Sequence, residues 1–298
     1  SVFNSYMKIR NFNKGILFSS LGSFWWGFFG TYYFQYITFI GTFEVVVHRS
    51  IWTCVILLFT TTFFKKWNLF KKILFNKKNF FVLILTSILI FGNWTVWIYA
   101  VSTNRIIDAS FGYFIFPIIS VFLGYIFLNE KLNRKRIISL SLVIIATIYL
   151  LFNFSSLPWV GFTVAFMWST YNLLRKKINI ETDIGLLIES LFILPIAILF
   201  FYFIVQSNQN DFSLSNPTLM VLIFLAGPMT VIPLFLYVKG VELSGLGPSG
   251  MIFFIAPTGQ FLLGFFYYNE EFSLNKLISF IIIWIAVSIY LKDLYENN

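Results

Sequence analysis

Five ionisable residues interrupt or end long apolar runs of this 298-residue chain: Glu44, His48, Arg49, Glu189 and Lys239. A charged group inside the hydrocarbon of a membrane is costly unless it is paired or meets water, so we predict that these residues act in gating or ion coupling. Two alternatives stay open: Arg49 extends to the lipid headgroups, and Lys239 only marks a membrane interface.

Proton coupling has two candidates in this set. Glu44 and His48 are i,i+4 neighbours on one helical face. His48 is the only histidine, and imidazole titrates near neutral pH. No Asp or Glu stands at the centre of an apolar run, so exchange or facilitated flux without a proton is the alternative to coupling through His48 or Glu44.

A stripe of polar and small residues runs along one apolar segment. Ser110, Tyr113, Pro117, Ser120 and Gly124 follow at steps of three and four, so they share one face of a helix. Proline also frees a backbone carbonyl about one turn earlier, which must face protein, water or ligand. With polar and aromatic residues of other runs, the predicted cavity lining is Asn93, Trp97, Tyr113, Pro117, Ser120, Trp168, Tyr171, Asn172, Pro257 and Gln260.

The same stretch occurs twice. Residues 110–136 return 140 positions later at 250–276, where the proline, a glycine and an Asn-Glu pair recur as Pro257, Gly264 and Asn269-Glu270. Chance similarity between hydrophobic helices is the alternative, but four matches at one offset favour a true internal repeat.

Composition indicates a polytopic all-α membrane protein. Mean hydropathy is +0.82, 58% of the residues are hydrophobic and 11% are charged. Ten apolar runs have the roughly 18 to 23 residues that cross about 30 Å of hydrocarbon. We place them at 15–36, 44–64, 80–102, 106–128, 134–152, 157–174, 184–205, 217–238, 246–268 and 274–291.

The basic residues orient these spans. Most of the Lys and Arg residues fall in the N-terminal segment and in alternate short loops, including six lysines between Lys65 and Lys78. The positive-inside rule then puts both termini in the cytoplasm, with the first span retained as a signal anchor. The net charge of +9 is explained by this bias, so we expect no nucleic-acid partner.

Five spans in each half make the halves antiparallel. The predicted domains are residues 14–152 and 156–292, two inverted five-helix repeats. Such repeats hold a substrate near the membrane midplane and expose it to each side in turn. Gly227-Pro228 and Pro233 predict an unwound or kinked eighth span.

Several other chemistries lack their residues. The single cysteine, Cys54, permits no intrachain disulfide and no thiolate metal cluster, and we expect no cofactor. The glycines of 245–250 join two apolar helices without a preceding strand, so they do not form a dinucleotide loop. An intramembrane lipid-modifying enzyme would need clustered ionisable groups, and a membrane scaffold or sensor would need no polar midplane; both remain the rival hypotheses.

Four segments resemble one known family. They are EVVVHRSIW at Glu44, NWTVWIYAVSTNRIIDASFGYFIFPIISVFLGYIFLNEKL at Asn93, LLIESLFILPIAI around Glu189, and VIPLFLYVKG followed by IAPTGQFLLG around Pro257. They are similar to the drug/metabolite transporter superfamily with paired EamA domains, in its RarD-type branch. The resemblance implies ten helices in two inverted repeats and a central cavity enclosed by spans one, three, four, six, eight and nine.

The residues and the resemblance together predict a secondary transporter of the bacterial inner membrane. It would export or exchange small metabolites, such as amino acids or drug-like compounds, by alternating access. Its partners are a small-molecule substrate and the lipid bilayer. A homodimer is an oligomeric state that we leave open.

Overall fold

The computed structural model describes residues 2–103, 105–152, 156–269 and 273–297, and within these ranges the chain is helical without a β-strand. Glu270 of the repeated Asn-Glu pair lies outside the described residues. The helices are α1 (Val2–Trp25), α2 (Thr31–Tyr36), α3 (Thr42–Phe63), α4 (Trp67–Leu74), α5 (Lys77–Ser102), α6 (Ile106–Leu128), α7 (Arg134–Leu151), α8 (Trp159–Ile178), α9 (Thr182–Gln206), α10 (Pro217–Phe224), α11 (Ala226–Ser244), α12 (Leu246–Ile252), α13 (Ile255–Phe266) and α14 (Leu274–Asn297).

Seven segments within the described ranges are long and apolar enough to cross a membrane: Thr42–Phe63, Lys77–Trp97, Asp108–Leu128, Thr182–Gln206, Pro217–Ser244, Leu246–Phe266 and Leu274–Asn297. The other three predicted runs are also helical, but α1 is interrupted before α2, and α7 and α8 each carry three basic residues at one end. The chain is therefore an all-helical, multi-pass membrane protein.

Helix breaks occur near two prolines of the second half, whereas Pro195 lies within a continuous α9 and Pro233 within a continuous α11. Leu225 separates α10 from α11 just before Pro228, and Phe253 and Phe254 separate α12 from α13 just before Pro257. Proline removes an amide donor and crowds the carbonyl four residues earlier, which explains both positions. Pro117, in contrast, lies within a continuous α6.

A π-helical turn at Trp26–Gly30 separates α1 from α2. The Thr31 hydroxyl donates a hydrogen bond to the Trp26 carbonyl at 2.9 Å. The Trp26 carbonyl, at the start of the π-helical turn, thus has a side-chain donor. This turn lies where the first predicted span contacts α11 and α13 of the second half.

Asparagine residues define several helix ends. Asn129 ends α6 with φ of 54°, and Asn269, its counterpart 140 positions later, has φ of 53°. Asparagine tolerates this left-handed conformation better than most residues do. Asn133 begins α7, where its side-chain oxygen accepts a hydrogen bond from the Arg136 amide at 3.0 Å.

The two halves of the chain pack through corresponding helices. In the first half α3, α6 and α7 pack against α9, α12 and α14, their counterparts in the second half. Two further sets of contacts match: α1 packs against α11 as α5 packs against α8, and α1 contacts α12 and α13 as α8 contacts α6.

Small residues allow the closest approaches between the halves. At the crossing of α6 and α8, a Cβ added to Gly112 would lie 2.6 Å from the Gly161 carbonyl oxygen. The Gly161 amide also donates to Asp108 Oδ1 at 3.0 Å. On α1, a Cβ at Gly22 would lie 2.9 Å from the Pro233 carbonyl oxygen of α11. Larger side chains at these positions would separate the helices.

Candidate functional site

A cavity of about 950 Å³ lies between the two halves. Its walls come from the α1–α2 segment, α3, α5, α6, α7, α8, α11, the α12–α13 segment and α14. The chain segments 37–42 and 273–276 border one end, which we call the open end. The volume falls within the range of sites for small molecules.

Six of the predicted lining residues contribute to the cavity wall: Asn93, Trp97, Tyr113, Trp168, Pro257 and Gln260. They come from four different predicted spans, and their helical faces converge. The Tyr113 hydroxyl faces the Trp97 and Gln260 side chains. Asn93 is held by another helix, because its Nδ2 donates to the Val164 carbonyl of α8 at 2.9 Å. Through these contacts, polar side chains of the first half meet residues of the second half at the cavity wall.

The other four predicted lining residues lie outside the cavity wall. Pro117 and Ser120 face the crossing with α12, where a Cβ on Gly250 would lie 2.7 Å from Ser120 Cβ. Asn172 donates to the Trp168 carbonyl of its own helix at 2.8 Å. Tyr171 donates to a Glu189 oxygen at 2.9 Å. A helical stripe shares one face, but part of that face is covered by a neighbouring helix.

Arg49 is the residue of the gating set that reaches the cavity wall. Its Nε donates to the Thr230 hydroxyl at 2.9 Å. The guanidinium carbon lies 5.0 Å from the centre of the Phe34 ring and 4.8 Å from that of the Trp94 ring. The side chain is 8% exposed, so it faces the interior and does not extend to the headgroups.

Five aromatic side chains close the end of the cavity opposite the open end: Trp26, Phe116, Trp168, Tyr237 and Phe253. We call them the aromatic floor. Their ring centres lie 4.8 Å apart for Phe116 and Phe253, 5.4 Å for Tyr237 and Phe253, and 5.6 Å for Trp168 and both Trp26 and Tyr237. The contacts join helices of both halves.

A buried ionic network lies one to two turns beyond the floor along α8. Arg175 donates to Glu189 Oε1 at 3.2 Å and to the Thr182 carbonyl at 3.1 Å. Glu189 also accepts from Thr86 at 2.7 Å and from Tyr171 at 2.9 Å. This network joins α5, α8 and α9, and Glu189 is fully supplied with donors.

The rim of this network is more exposed. Lys239 is 29% exposed and donates to Glu242 Oε2 at 3.2 Å, while the other Glu242 oxygen lies 3.9 Å from an Arg175 nitrogen. The Lys176 ammonium donates to the Glu242 carbonyl. Lys239 thus lies outside the cavity wall, at the outer edge of the network that contains Glu189.

Glu130 supports the same closed end. Its two carboxylate oxygens accept from the Leu246 amide at 2.7 Å and the Gly247 amide at 2.8 Å, the first residues of α12. Burial raises the pKa of the Glu130 carboxyl, although these two amide donors act in the opposite direction. Glu130, the glutamate of the first Asn-Glu pair, therefore joins the end of α6 to the start of α12.

Glu44 and His48 hold a loop and do not line the cavity. The Glu44 oxygens accept from the Asp211 amide at 2.7 Å and the Phe212 amide at 2.9 Å. His48 Nδ1 accepts from Trp52 at 3.1 Å, and its ring lies 4.5 Å from the Phe212 ring centre. Both side chains are buried beside the loop between α9 and α10.

Sequence reasoning missed Arg175, Glu242, Thr230 and Tyr237. Arg175 precedes two lysines at the end of an apolar run, a pattern typical of an exposed basic loop, yet it is 0% exposed. The prolines on either side of Thr230 were a usable signal, since polar residues near helix breaks often line cavities. The repeat was a usable signal for Tyr237, because its counterpart 140 positions earlier is Trp97.

The fold and the cavity define a multi-pass membrane protein of the transporter class. The model of the EamA-like transporter family matches residues 13–152 and again 157–292. The chain thus belongs to the EamA-like transporter family, within the drug/metabolite transporter superfamily.

Two relatives and one solved structure agree with this assignment. Protein RarD of Salmonella typhi is 32% identical over 96% of this chain and 97% of its own length. Uncharacterized transporter YojE of Bacillus subtilis is 33% identical over 93% of each chain. A crystal structure covers 92% of this chain and 96% of its own with a TM-score of 0.68; at 13% identity, it shows a shared fold.

Proposed function

We propose that this protein is a secondary transporter that moves small metabolites across the bacterial inner membrane by alternating access. The observation that carries the proposal is the cavity between the halves, which is open at one end and closed at the other by the aromatic floor. The family supports a transporter rather than an enzyme. Export or exchange of amino acids or related or drug-like compounds fits a cavity of this size.

The proposed topology has ten crossings in two inverted repeats, residues 14–152 and 156–292. The paired helix contacts and the matching left-handed Asn129 and Asn269 support a two-fold relationship between the halves. Five crossings in each half make the relationship an inversion. The positive-inside rule then puts the termini and the closed end in the cytoplasm, and the open end outside.

Alternating access would exchange the roles of two sets of aromatic residues. Tyr237 and Phe253 belong to the floor, and their counterparts 140 positions earlier are Trp97 and Tyr113, which line the cavity. In the opposite state Trp97 and Tyr113 would close the outer end, while the floor would separate. The packed floor and the ionic network beyond it both stabilise the outward-facing state.

Cysteine accessibility tests this arrangement. Cys54 is the only cysteine and is 0% exposed, so a Cys54→Ala background permits single-cysteine labelling. A membrane-impermeant thiol reagent added outside should label Gln260→Cys in the cavity and spare Asn172→Cys beyond the floor. From the cytoplasmic side, Asn172→Cys should react slowly, in proportion to the inward-facing population. Gln260→Cys that is unreactive from both sides would contradict the proposal.

Transport itself is tested in proteoliposomes with a substrate panel. Gln260→Leu should reduce flux of the transported compounds, because Gln260 is a polar group of the cavity wall. Tyr295→Leu is a matched polar-to-apolar control, since Tyr295 is 86% exposed near the C-terminus. No flux of any compound, with correctly inserted protein, would favour the rival scaffold hypothesis.

A further inference from the structure

Arg49 is a buried cation without an ionic partner among the described residues. No described Asp or Glu lies within 4.0 Å of it. Its Nε has an acceptor in Thr230, but within the described chain no group accepts a hydrogen bond from its two terminal nitrogens. The Phe34 and Trp94 rings hold the guanidinium in place without neutralising its charge.

An uncompensated charge at this depth is costly unless a ligand or water meets it. The guanidinium borders the cavity, so its free nitrogens have a space in which an acceptor fits. The planar fork of arginine binds carboxylates in a bidentate manner. Tyr113 of α6 lines the same cavity as Arg49, so its hydroxyl adds a neutral hydrogen-bond donor to the wall.

The charge of the described cavity wall is one-sided. Its ionisable side chains other than tyrosine are Arg49 and, at the open end, Lys276; no described Asp or Glu lines the cavity. Most of the remaining wall is aromatic or aliphatic, including Trp94, Trp97 and Phe253. This combination attracts an anion and accommodates an apolar body.

We propose that Arg49 is the anion-binding residue of the cavity and that the substrate is a carboxylate with an aromatic or similar apolar body. This inference rests on the proposed transport function. A single guanidinium at depth matches one negative charge, which favours a carboxylate over a phosphate dianion. The ammonium of an amino acid would find no carboxylate on the described wall, so a simple carboxylate fits better than a zwitterion.

Equilibrium binding to the purified full-length protein in detergent tests the charge preference. The probes are 3-phenylpropionate, its neutral alcohol 3-phenylpropanol, the cation phenethylamine, zwitterionic phenylalanine and phenyl phosphate, measured by calorimetry. We expect 3-phenylpropionate to bind at least about 10-fold more tightly than the alcohol or the amine, since hydrogen bonds to charged groups contribute about 1.5–3 kcal/mol.

Variants assign this preference to Arg49. Arg49→Gln should weaken binding of 3-phenylpropionate by about 10- to 100-fold and leave binding of the alcohol unchanged. Arg49→Lys should give an intermediate loss, because it keeps the charge without the fork. Lys276→Gln is the control, a cation at the open end, with an expected change below about threefold. If Arg49→Gln does not fold, Thr230→Val tests the same site, with a loss of about 3- to 10-fold for the carboxylate alone.

Three results would each overturn the anion site: binding of the alcohol or amine as tight as that of 3-phenylpropionate, no binding of 3-phenylpropionate, or wild-type carboxylate binding by a folded Arg49→Gln. Counterflow in proteoliposomes separates this failure from failure of transport. Arg49-dependent binding without counterflow contradicts the transport proposal alone. Counterflow of a neutral compound, unchanged in Arg49→Gln, contradicts the anion site alone.

Discussion

The Arg175 guanidinium lies 3.2 Å from the Glu189 carboxylate, and both side chains are buried beyond the aromatic floor. The pair joins α8, which forms part of the cavity wall, to α9. Any opening of the closed end has to rearrange helices that share this network. The strength of the pair therefore affects the stability of the protein and, in the proposed alternating access, would affect the balance between the outward-facing and inward-facing states.

Glu189→Gln keeps the size of the side chain and removes the charge that compensates Arg175. Loss of one partner from a buried pair costs about 3–5 kcal/mol, so we expect Tm in detergent to fall by on the order of 10 °C. Adding Arg175→Met should restore part of the loss, because no buried charge is then left unpaired. Lys239→Ala, at the exposed rim, should change Tm by less than about 2 °C. Wild-type stability of Glu189→Gln would refute the assigned role.

Gly185→Ala should destabilise the protein, because an added Cβ would overlap the Arg175 guanidinium. Overpacking of this kind costs about 1–3 kcal/mol, measured as a lower Tm. Gly41→Ala is the matched control, since its nearest neighbour, Glu44 Cβ, would be 3.9 Å away. Equal Tm values for the two variants would show that Arg175 can move aside at no cost.

Glu130→Gln should weaken the junction between α6 and α12. The amide has one acceptor oxygen, so either the Leu246 or the Gly247 amide loses its partner at a cost of about 1–3 kcal/mol. The comparison is Glu296→Gln, where the Lys135 pair is solvent-exposed and we expect no measurable change in stability. Thermal unfolding measures the loss of stability in each variant. Equal losses for Glu130→Gln and Glu296→Gln would show that Glu130 does not cap α12.

His48→Gln should leave the pH dependence of uptake unchanged between about pH 5.5 and pH 8, the range in which an ordinary histidine titrates. His48 packs against Phe212 and Trp52 outside the cavity wall, and it holds a loop together with Glu44. Uptake by proteoliposomes at several pH values is the measurement. A flattened pH profile in the variant would assign proton coupling to His48.

Local features of the protein could be predicted from its sequence because they depend on neighbouring residues. Apolar runs indicated the helices, and Gly227-Pro228 indicated the break at Leu225, whereas Pro233 lies within a continuous α11. The asparagine repeated at the 140-residue offset indicated that the two halves share local structure. Asn129 and Asn269 both adopt the left-handed backbone conformation. Helical periodicity placed Tyr113 and Gln260 on polar faces, and both line the cavity. The quoted motifs also indicated the family.

Only the tertiary structure decided which polar groups meet. Helical periodicity shows which residues share a face but not which helix packs against that face. It could not predict that Tyr113 lines the cavity while Ser120, on the same face, is covered by α12. The Thr86–Glu189 hydrogen bond joins residues 103 positions apart. The sequence around Arg175 is typical of an exposed basic loop, but in the fold Arg175 is paired with Glu189 of α9. The free energy of burying such groups depends on partners that the fold brings together, and one sequence alone does not specify those partners.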